Sequence, residues 1–177
     1  MIMTVAELKQ YITTSETDTM LEAKLQALEL LIRKYTNNNF QNRNFRFRCS
    51  CTSESGLQYA SALFSVGDTV QVSESALNEG LYTIVSIDLE SGCMGLNEAL
   101  YDELEVLVTK VEYPMDVKLG VVNMMKWDLE NRDKVGIQSE SISRHSVTYF
   151  NMDGDNSTLG YPKSLVGFLK PYMKARF

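Results

Sequence analysis

A nucleophilic serine or cysteine in this chain would have to work with its single histidine, His145. In such pairs the imidazole takes the nucleophile's proton while a third group orients the ring. Ser143 and Ser146 flank His145 in a polar stretch, but sequence neighbours do not supply that third group, so a solvent-facing loop histidine is expected. Cys49-Ser-Cys51 is a C-x-C pair, and strand alternation would put both sulfurs on one face. With Cys93 and His145 it has the right ligand types for a zinc ion, but its spacing matches no usual zinc pairing. Buried or surface thiols are expected instead. Asp153-Gly-Asp155-Asn-Ser157 opens like a calcium loop, yet Thr158 replaces the turn-making glycine and no glutamate closes the loop. A plain turn is expected there. Phosphate-loop, dinucleotide-loop and zinc-protease signatures are absent, and the many carboxylates single out no acid/base pair. The expectation is a chain that is not an enzyme and uses no metal and no cofactor.

The elements that carry these residues change character along the chain. Thr4-Val-Ala-Glu7 and Ser15-Glu-Thr-Asp18 read as capping boxes, a hydroxyl followed three residues on by a carboxylate. The first predicts a short helix from Val5 to Ile12. The second opens a longer one, with Leu21, Leu25, Leu28, Ile32 and Tyr35 on one face and Asn37-Asn-Asn39 as its end. Period-two alternation then predicts strands at Phe45–Cys49, Thr69–Val72, Leu81–Ile87 and Glu105–Tyr113. Turns are read at Gly67-Asp68, Asn78-Glu-Gly80 and Ser91-Gly92. Pro114 opens a helix whose Val117, Val121, Met124, Met125 and Leu129 make a wide apolar stripe. Leu119, Val122 and Trp127 widen it further, so this helix is expected at the centre of the core. Ser146–Phe150 reads as a short strand or extended arm. A last helix from Pro162 turns Leu165, Phe168, Leu169 and Tyr172 inward, with a kink or end at Pro171.

The expected fold class is α+β: a small helical bundle of about four helices with an inserted small antiparallel β-barrel or sandwich. Residues 1–43 and 114–177 form the helical core, with an extended arm over 137–150, and residues 44–113 form the β-rich insert. Charge divides the chain at the same places. The insert sets Arg46, Arg48 and Lys110 against eleven carboxylates, whereas the first segment is balanced and the last slightly basic. The whole carries a formal net charge of −6, which argues against a general nucleic-acid binder. Apolar residues make up 44% of the chain, enough for a core. No stretch approaches the about 18 apolar residues that span a bilayer, and no signal peptide is indicated. Three cysteines make no disulfide framework. A soluble, cytoplasmic protein without membrane contact is expected.

The segment Gly136-Ile-Gln-Ser-Glu-Ser-Ile-Ser-Arg-His-Ser-Val-Thr-Tyr149, followed by a helix ending Leu169-Lys-Pro-Tyr172 and basic residues, resembles the head–tail connector (adaptor) proteins of tailed bacteriophages. There a "G-x-x-S-E-S-I-G-x-x-S-V-x-Y" segment precedes a last helix ending in "L-x-P-Y". Residues 1–40 and 114–177 carry the likeness. Ser143 stands where glycine is usual, and the smaller members lack the 44–113 insert. The resemblance implies a non-catalytic virion protein that forms a ring, commonly a dodecamer, beneath the portal. Its lumen would continue the DNA channel without specific DNA binding, and its far side would receive a second connector or the tail. Before assembly the protein would stand in the host cytoplasm. The arm is then expected at the subunit interface through Ser139, Ser141, Ile142, Val147, Tyr149 and Phe150. Leu169, Tyr172, Lys174, Arg176 and Phe177 are expected to dock on the portal, and truncation after Pro171 to abolish docking while leaving folding largely intact. The insert is expected on the outer rim. A different reading makes the insert a β-barrel ligand- or protein-binding module on a helical scaffold.

Overall fold

The computed structural model describes residues 1–134, 139–142, 145–148 and 155–175, with 139–142 and 145–148 described as backbone. Helix α1 (Val5–Leu8) is a single turn. Its capping box is formed: Thr4 Oγ1 accepts from the Glu7 amide at 3.1 Å, and the Glu7 carboxylate accepts from the Thr4 amide at 2.8 Å. The expected continuation to Ile12 runs as turns into the β-branched Ile12-Thr-Thr14, which favours helix weakly. Helix α2 (Asp18–Thr36) is capped by Thr17 rather than Ser15, with Thr17 Oγ1 accepting from the Met20 amide at 3.4 Å. The Ser15 box does not form: its carboxylate, Asp18, meets Lys9 Nζ at 2.5 Å instead. Leu21, Leu25, Leu28 and Ile32 are all buried, and Asn37, left-handed at φ 50°, ends the helix.

Six strands then close into an antiparallel barrel in the order β1-β2-β5-β4-β3-β6. They are β1 (Gln41–Thr52), β2 (Gly56–Leu57), β3 (Thr69–Ser73), β4 (Gly80–Asp88), β5 (Cys93–Leu96) and β6 (Glu103–Val111). β1 and β6 pair along most of their length and close the cylinder, with irregularities between Asn42 and Arg46 and between Cys49 and Cys51. Four strands cover the stretches expected, although burial does not alternate along β4 or β6. β2 and β5 are too short and too glycine-rich to stand out in the sequence, yet Gly56 is required there. It sits at φ +71°, and a Cβ on it would lie 2.5 Å from the Met94 carbonyl oxygen. The barrel interior is filled by Cys51, Leu57, Phe64, Val70, Ile84, Met94, Val106 and Val108 among others.

After the barrel, Pro114 precedes helix α3 (Met115–Asn131) and acts as its N-cap. Val117, Val121, Val122, Met124 and Met125 are buried, while Leu119 is exposed. Gly120 lets the last segment approach closely: a Cβ there would lie 2.3 Å from the Phe168 ring. A two-stranded sheet, β7 (Ser139–Ile142) with β8 (His145–Thr148), and a tight pair, β9 (Ser157–Thr158) with β10 (Tyr161–Pro162), follow. The single last helix expected from Pro162 is instead one turn, α4 (Lys163–Val166), continued by a 3₁₀ helix over Gly167–Tyr172 that contains Pro171. Val166, not Leu165, is its buried residue beside Leu169.

The described residues are thus α+β, with a closed six-stranded antiparallel barrel and four α-helices. The expected helical bundle does not emerge, since among the described α-helices only α2 and α3 exceed one turn. The core around them includes Phe40, Val111 and Tyr113 from the points where the chain enters and leaves the barrel. These points are neighbours. The Glu112 amide donates to the Phe40 carbonyl at 2.9 Å, Gln41 pairs with Val111, and the Phe40 and Tyr113 rings lie 4.8 Å apart. Polar groups are buried at this junction too. Tyr113 donates to Glu29 at 2.8 Å, Arg33 donates to Gln71 at 2.8 Å and to the Asn39 carbonyl at 2.9 Å, and the Met1 amine lies 3.4 Å from Glu29. Among the described residues no helix is long and apolar enough to cross a membrane.

Candidate functional site

The segment expected to be the arm leaves the body at the end of α3 and returns at β9. Its two ends are tied together by Arg132. The guanidinium donates to Asp128 Oδ1 at 2.6 Å through Nε, forms a second contact through Nη2, and donates to the Gly160 carbonyl at 3.2 Å. It also lies over two aromatic faces, 5.2 Å from the Trp127 ring and 4.8 Å from the Tyr161 ring, which meet edge-on. Asp128 is buried, with Lys24 Nζ 4.0 Å away, and it sits one helical turn before Arg132. Burial first, and the Asp128 charge second, push the Tyr161 hydroxyl up to about 12. The β9–β10 turn completes the clamp. Leu159 and Gly160 both take positive φ, 59° and 77°, which a two-residue hairpin turn of this hand requires. The sequence pattern did not single out this clamp. Its visible signal was Asp128 and Arg132 at i, i+4 beside the only tryptophan.

Between the clamped ends, β7 and β8 pair with each other and with no other strand among the described residues. The register sets Ser139 opposite Thr148, Glu140 opposite Val147, Ser141 opposite Ser146 and Ile142 opposite His145. Of the proposed interface residues, Ser139, Ser141, Ile142 and Val147 therefore lie in one two-stranded sheet, and Tyr149 and Phe150 fall outside the described residues. A two-stranded sheet has little stability alone in water, and among the described residues no third strand joins it.

The tail is built differently from expectation. Leu169 is 0% exposed and belongs to the core, so it anchors the tail and offers no docking surface in the folded chain. Tyr172 is half-buried, its hydroxyl donating to Asp116 at 2.7 Å and its ring 5.8 Å from Phe40. Three more bonds lash the tail to the end of α2. The Lys174 amide donates to the Thr36 carbonyl at 2.8 Å, Asn38 Nδ2 to the Tyr172 carbonyl at 3.1 Å, and Asn37 Nδ2 to the Ala175 carbonyl at 2.8 Å. The first of these satisfies a carbonyl that the helix end leaves open. Truncation after Pro171 removes all four, at about 0.5–1.5 kcal/mol each, so a cost in stability is expected. Lys174 is exposed, and Arg176 and Phe177 fall outside the described residues.

The groups considered for chemistry do not converge. Cys51 is buried inside the barrel, and Cys49, on the same strand, has its thiol pushed up to about 11 by burial. It is therefore protonated at neutral pH, which makes it a poor nucleophile. Cys93 Sγ lies 3.4 Å from Gln58 Oε1. His145 stands opposite Ile142 in the β7–β8 sheet. Among the described residues no three His, Cys, Asp or Glu side chains are grouped to hold a metal ion. Of the calcium-like loop, Asp155 and Asn156 are in a turn and Ser157 and Thr158 form β9, while Asp153 and Gly154 fall outside the described residues.

On the barrel surface Arg48 pairs with Glu74 and Glu105, and Lys110 with Asp68 at 2.7 Å, so two of its three bases are neutralised locally. Glu54, Glu79, Asp88, Glu90, Glu98 and Asp102 are exposed. A rigid cluster stands at one end of the barrel. Glu103 accepts from Ser75 at 2.7 Å and from the Leu77 amide at 2.8 Å, and these bonds hold its carboxyl below the usual range. Asn78 Nδ2 donates to the Tyr101 carbonyl at 3.0 Å. Around this cluster Leu77, Tyr101 and Leu104 are exposed, Leu104 at 95%.

Compared with known proteins, the chain matches no protein-family model and no curated protein.

Proposed function

We propose that this chain is a non-catalytic structural subunit that assembles head-to-tail with copies of itself into a ring, as in the phage head–tail connectors that residues 1–40 and 114–177 resemble. The observation that carries the reading is the β7–β8 sheet, which pairs with no further strand among the described residues and whose base is clamped by Arg132. An element of this kind gains stability when a neighbour covers it or adds a strand to it. A ring needs one such projecting element and a different receiving surface on each subunit. In this reading Lys174, Arg176 and Phe177 contact the portal, with Tyr172 and Leu169 holding the tail in place. The far side receives a second connector or the tail, and the protein belongs to the virion neck after assembly from the host cytoplasm. The acidic barrel stands on the outer rim. A subunit with a formal net charge of −6 does not grip the phosphates of DNA passing through the lumen.

Deleting residues 139–150 is expected to give a folded chain that no longer forms rings, read by circular dichroism and electron microscopy. Rings formed by the deletion variant would overturn the proposal. In particles, loss of the protein is expected to give heads that fill with DNA but neither hold it nor accept tails.

A second reading has its own observation. The apolar residues Leu77, Tyr101 and Leu104 sit on a rigid part of the barrel, as a protein-binding module would present them. Assembly that survives deletion of 139–150 but fails on Leu104→Asp would move the function to the barrel.

A further inference from the structure

The barrel carries exposed apolar side chains at one end, and the groups around them define what can cover them. Leu77, Tyr101 and Leu104 are 63%, 65% and 95% exposed. Each is tied to one hydrogen-bonded node, the side chains of Asn78 and Glu103. Asn78 accepts from the Tyr101 amide at 2.8 Å and donates to Glu103 at 3.0 Å, and Glu103 accepts from the Leu77 amide at 2.8 Å. Leu104 follows Glu103 in β6, where the pairing of β1 with β6 shifts register. The three side chains therefore stand on fixed backbone, and covering them costs little ordering.

Carboxylates frame this end. Glu74, Glu79, Asp102 and Glu105 are exposed, and Glu103 is half-buried among its donors. Against these five stands one base, Arg48, which Glu74 and Glu105 share, leaving a net charge of −4. The other two bases of the barrel lie toward its far end. Lys110 stands six residues beyond Leu104 on β6, about 20 Å at 3.3 Å per residue, and Arg46 is opposite Thr109. Salt screens charges at that separation, since the Debye length is about 10 Å at 0.1 M. Phosphate groups, whether of nucleic acid or of a lipid headgroup, are repelled from such a surface. A second copy meeting it face to face would set the same carboxylates against each other. The complementary surface is apolar and basic.

We infer that the barrel end formed by Leu77, Tyr101 and Leu104 docks a basic segment of a partner protein, with aliphatic side chains interleaved with lysine or arginine. The inference rests on the reading of the barrel as a protein-binding module and specifies its partner. It is tested on the full-length chain with three synthetic peptides of equal length, carrying leucine at the same positions and lysine, glutamine or glutamate at the others. Fluorescence anisotropy reads affinity, and amide chemical shifts read the place of binding. The lysine peptide is expected to bind and to move the Leu77, Tyr101 and Leu104 amides. Leu104→Ser, checked for unchanged folding by circular dichroism, is expected to weaken it by about tenfold or more. Glu79→Gln with Asp102→Asn is expected to weaken it by about threefold, with asparagine keeping the acceptor that the Ser53 amide uses. Glu22→Gln, the same loss of charge on exposed α2, is expected to leave it unchanged. Three peptides that bind equally and are all lost on Leu104→Ser overturn the basic partner and leave the binding-module reading standing. Lysine-peptide binding that survives Leu104→Ser, or no binding of any peptide at millimolar concentration, overturns both. Shift changes at these amides on raising the concentration of the chain alone make a second copy the occupant and overturn the partner.

Discussion

Replacing Arg132 with alanine removes three supports of the arm's base at once while leaving both cores untouched. Two cation–π contacts, at 5.2 and 4.8 Å, are worth about 0.5–1 kcal/mol each at a partly exposed site. The bond to Asp128 adds about 1 kcal/mol, because one partner is buried while the guanidinium is close to half exposed. The weaker bond to Gly160 is secondary. The sum is about 2–3 kcal/mol, localised where α3 meets the β9–β10 turn. An opening equilibrium shifted by that amount changes about thirtyfold to somewhat over a hundredfold. The Lys163 amide, bonded to the Asn156 carbonyl at 3.0 Å, reports on this region, and native-state hydrogen exchange reads it directly. Its protection is expected to fall by that factor in Arg132→Ala, while amides of Ile32 and Val108, deep in the two cores, keep theirs. Arg132→Lys is expected to fall between, since lysine keeps the charge but loses the planar fork. Unchanged protection at Lys163, or an equal loss at Ile32 and Val108, would refute the clamp as a local device.

Other substitutions probe the rest of the frame. Gly120→Val forces a side chain into the Phe168 ring and is expected to destabilise the chain by about 1–3 kcal/mol in urea unfolding. Tyr113→Phe leaves the buried Glu29 carboxylate without its hydroxyl donor, and a loss of about 1.5–3 kcal/mol is expected in the same assay. Burial raises Cys49 from 9.0 to about 11 and Tyr161 from 10.0 to about 12, and raises Tyr113 as well. Groups raised in the folded state bind protons that the unfolded chain has already released. Their contribution is therefore complete below pH 9 and lost as pH climbs through about 11–12, and a melting temperature that falls above pH 9 is expected. Cys49→Ala should remove the earliest part of that fall; an identical profile in the variant would refute it.

Local signals in the sequence were legible where one residue type has one structural use. The Thr4–Glu7 box, the leucine stripe of α2, the left-handed Asn37 and the proline before α3 are all of this kind. Alternation and turn signals found the long strands and missed β2 and β5, because strands of two and four residues carry almost no pattern. The Ser15 box misled, since several hydroxyl residues offer caps there and the charge of Lys9 drew Asp18 away. The junction network was hidden for another reason. Glu29 and Arg33 look solvated on a helix diagram, and only the approach of Gln71 and Tyr113, far away in sequence, buries them. The arm was legible as an extended segment, whereas its clamp depends on Gly160 and Tyr161 returning to the end of α3. The tail's apolar and basic residues suggested a surface, yet Leu169 is spent inside and Tyr172 on Asp116.

The hydrogen bond between Phe40 and Glu112 has a genealogical consequence. Because the chain departs and comes back at adjacent points, the whole cylinder is inserted at one place, braced there by the bond from Arg33 to Gln71. A gene could acquire or discard it in a single event, with a short turn closing the scar. Its outer surface can then diverge without rewriting the helices on either side.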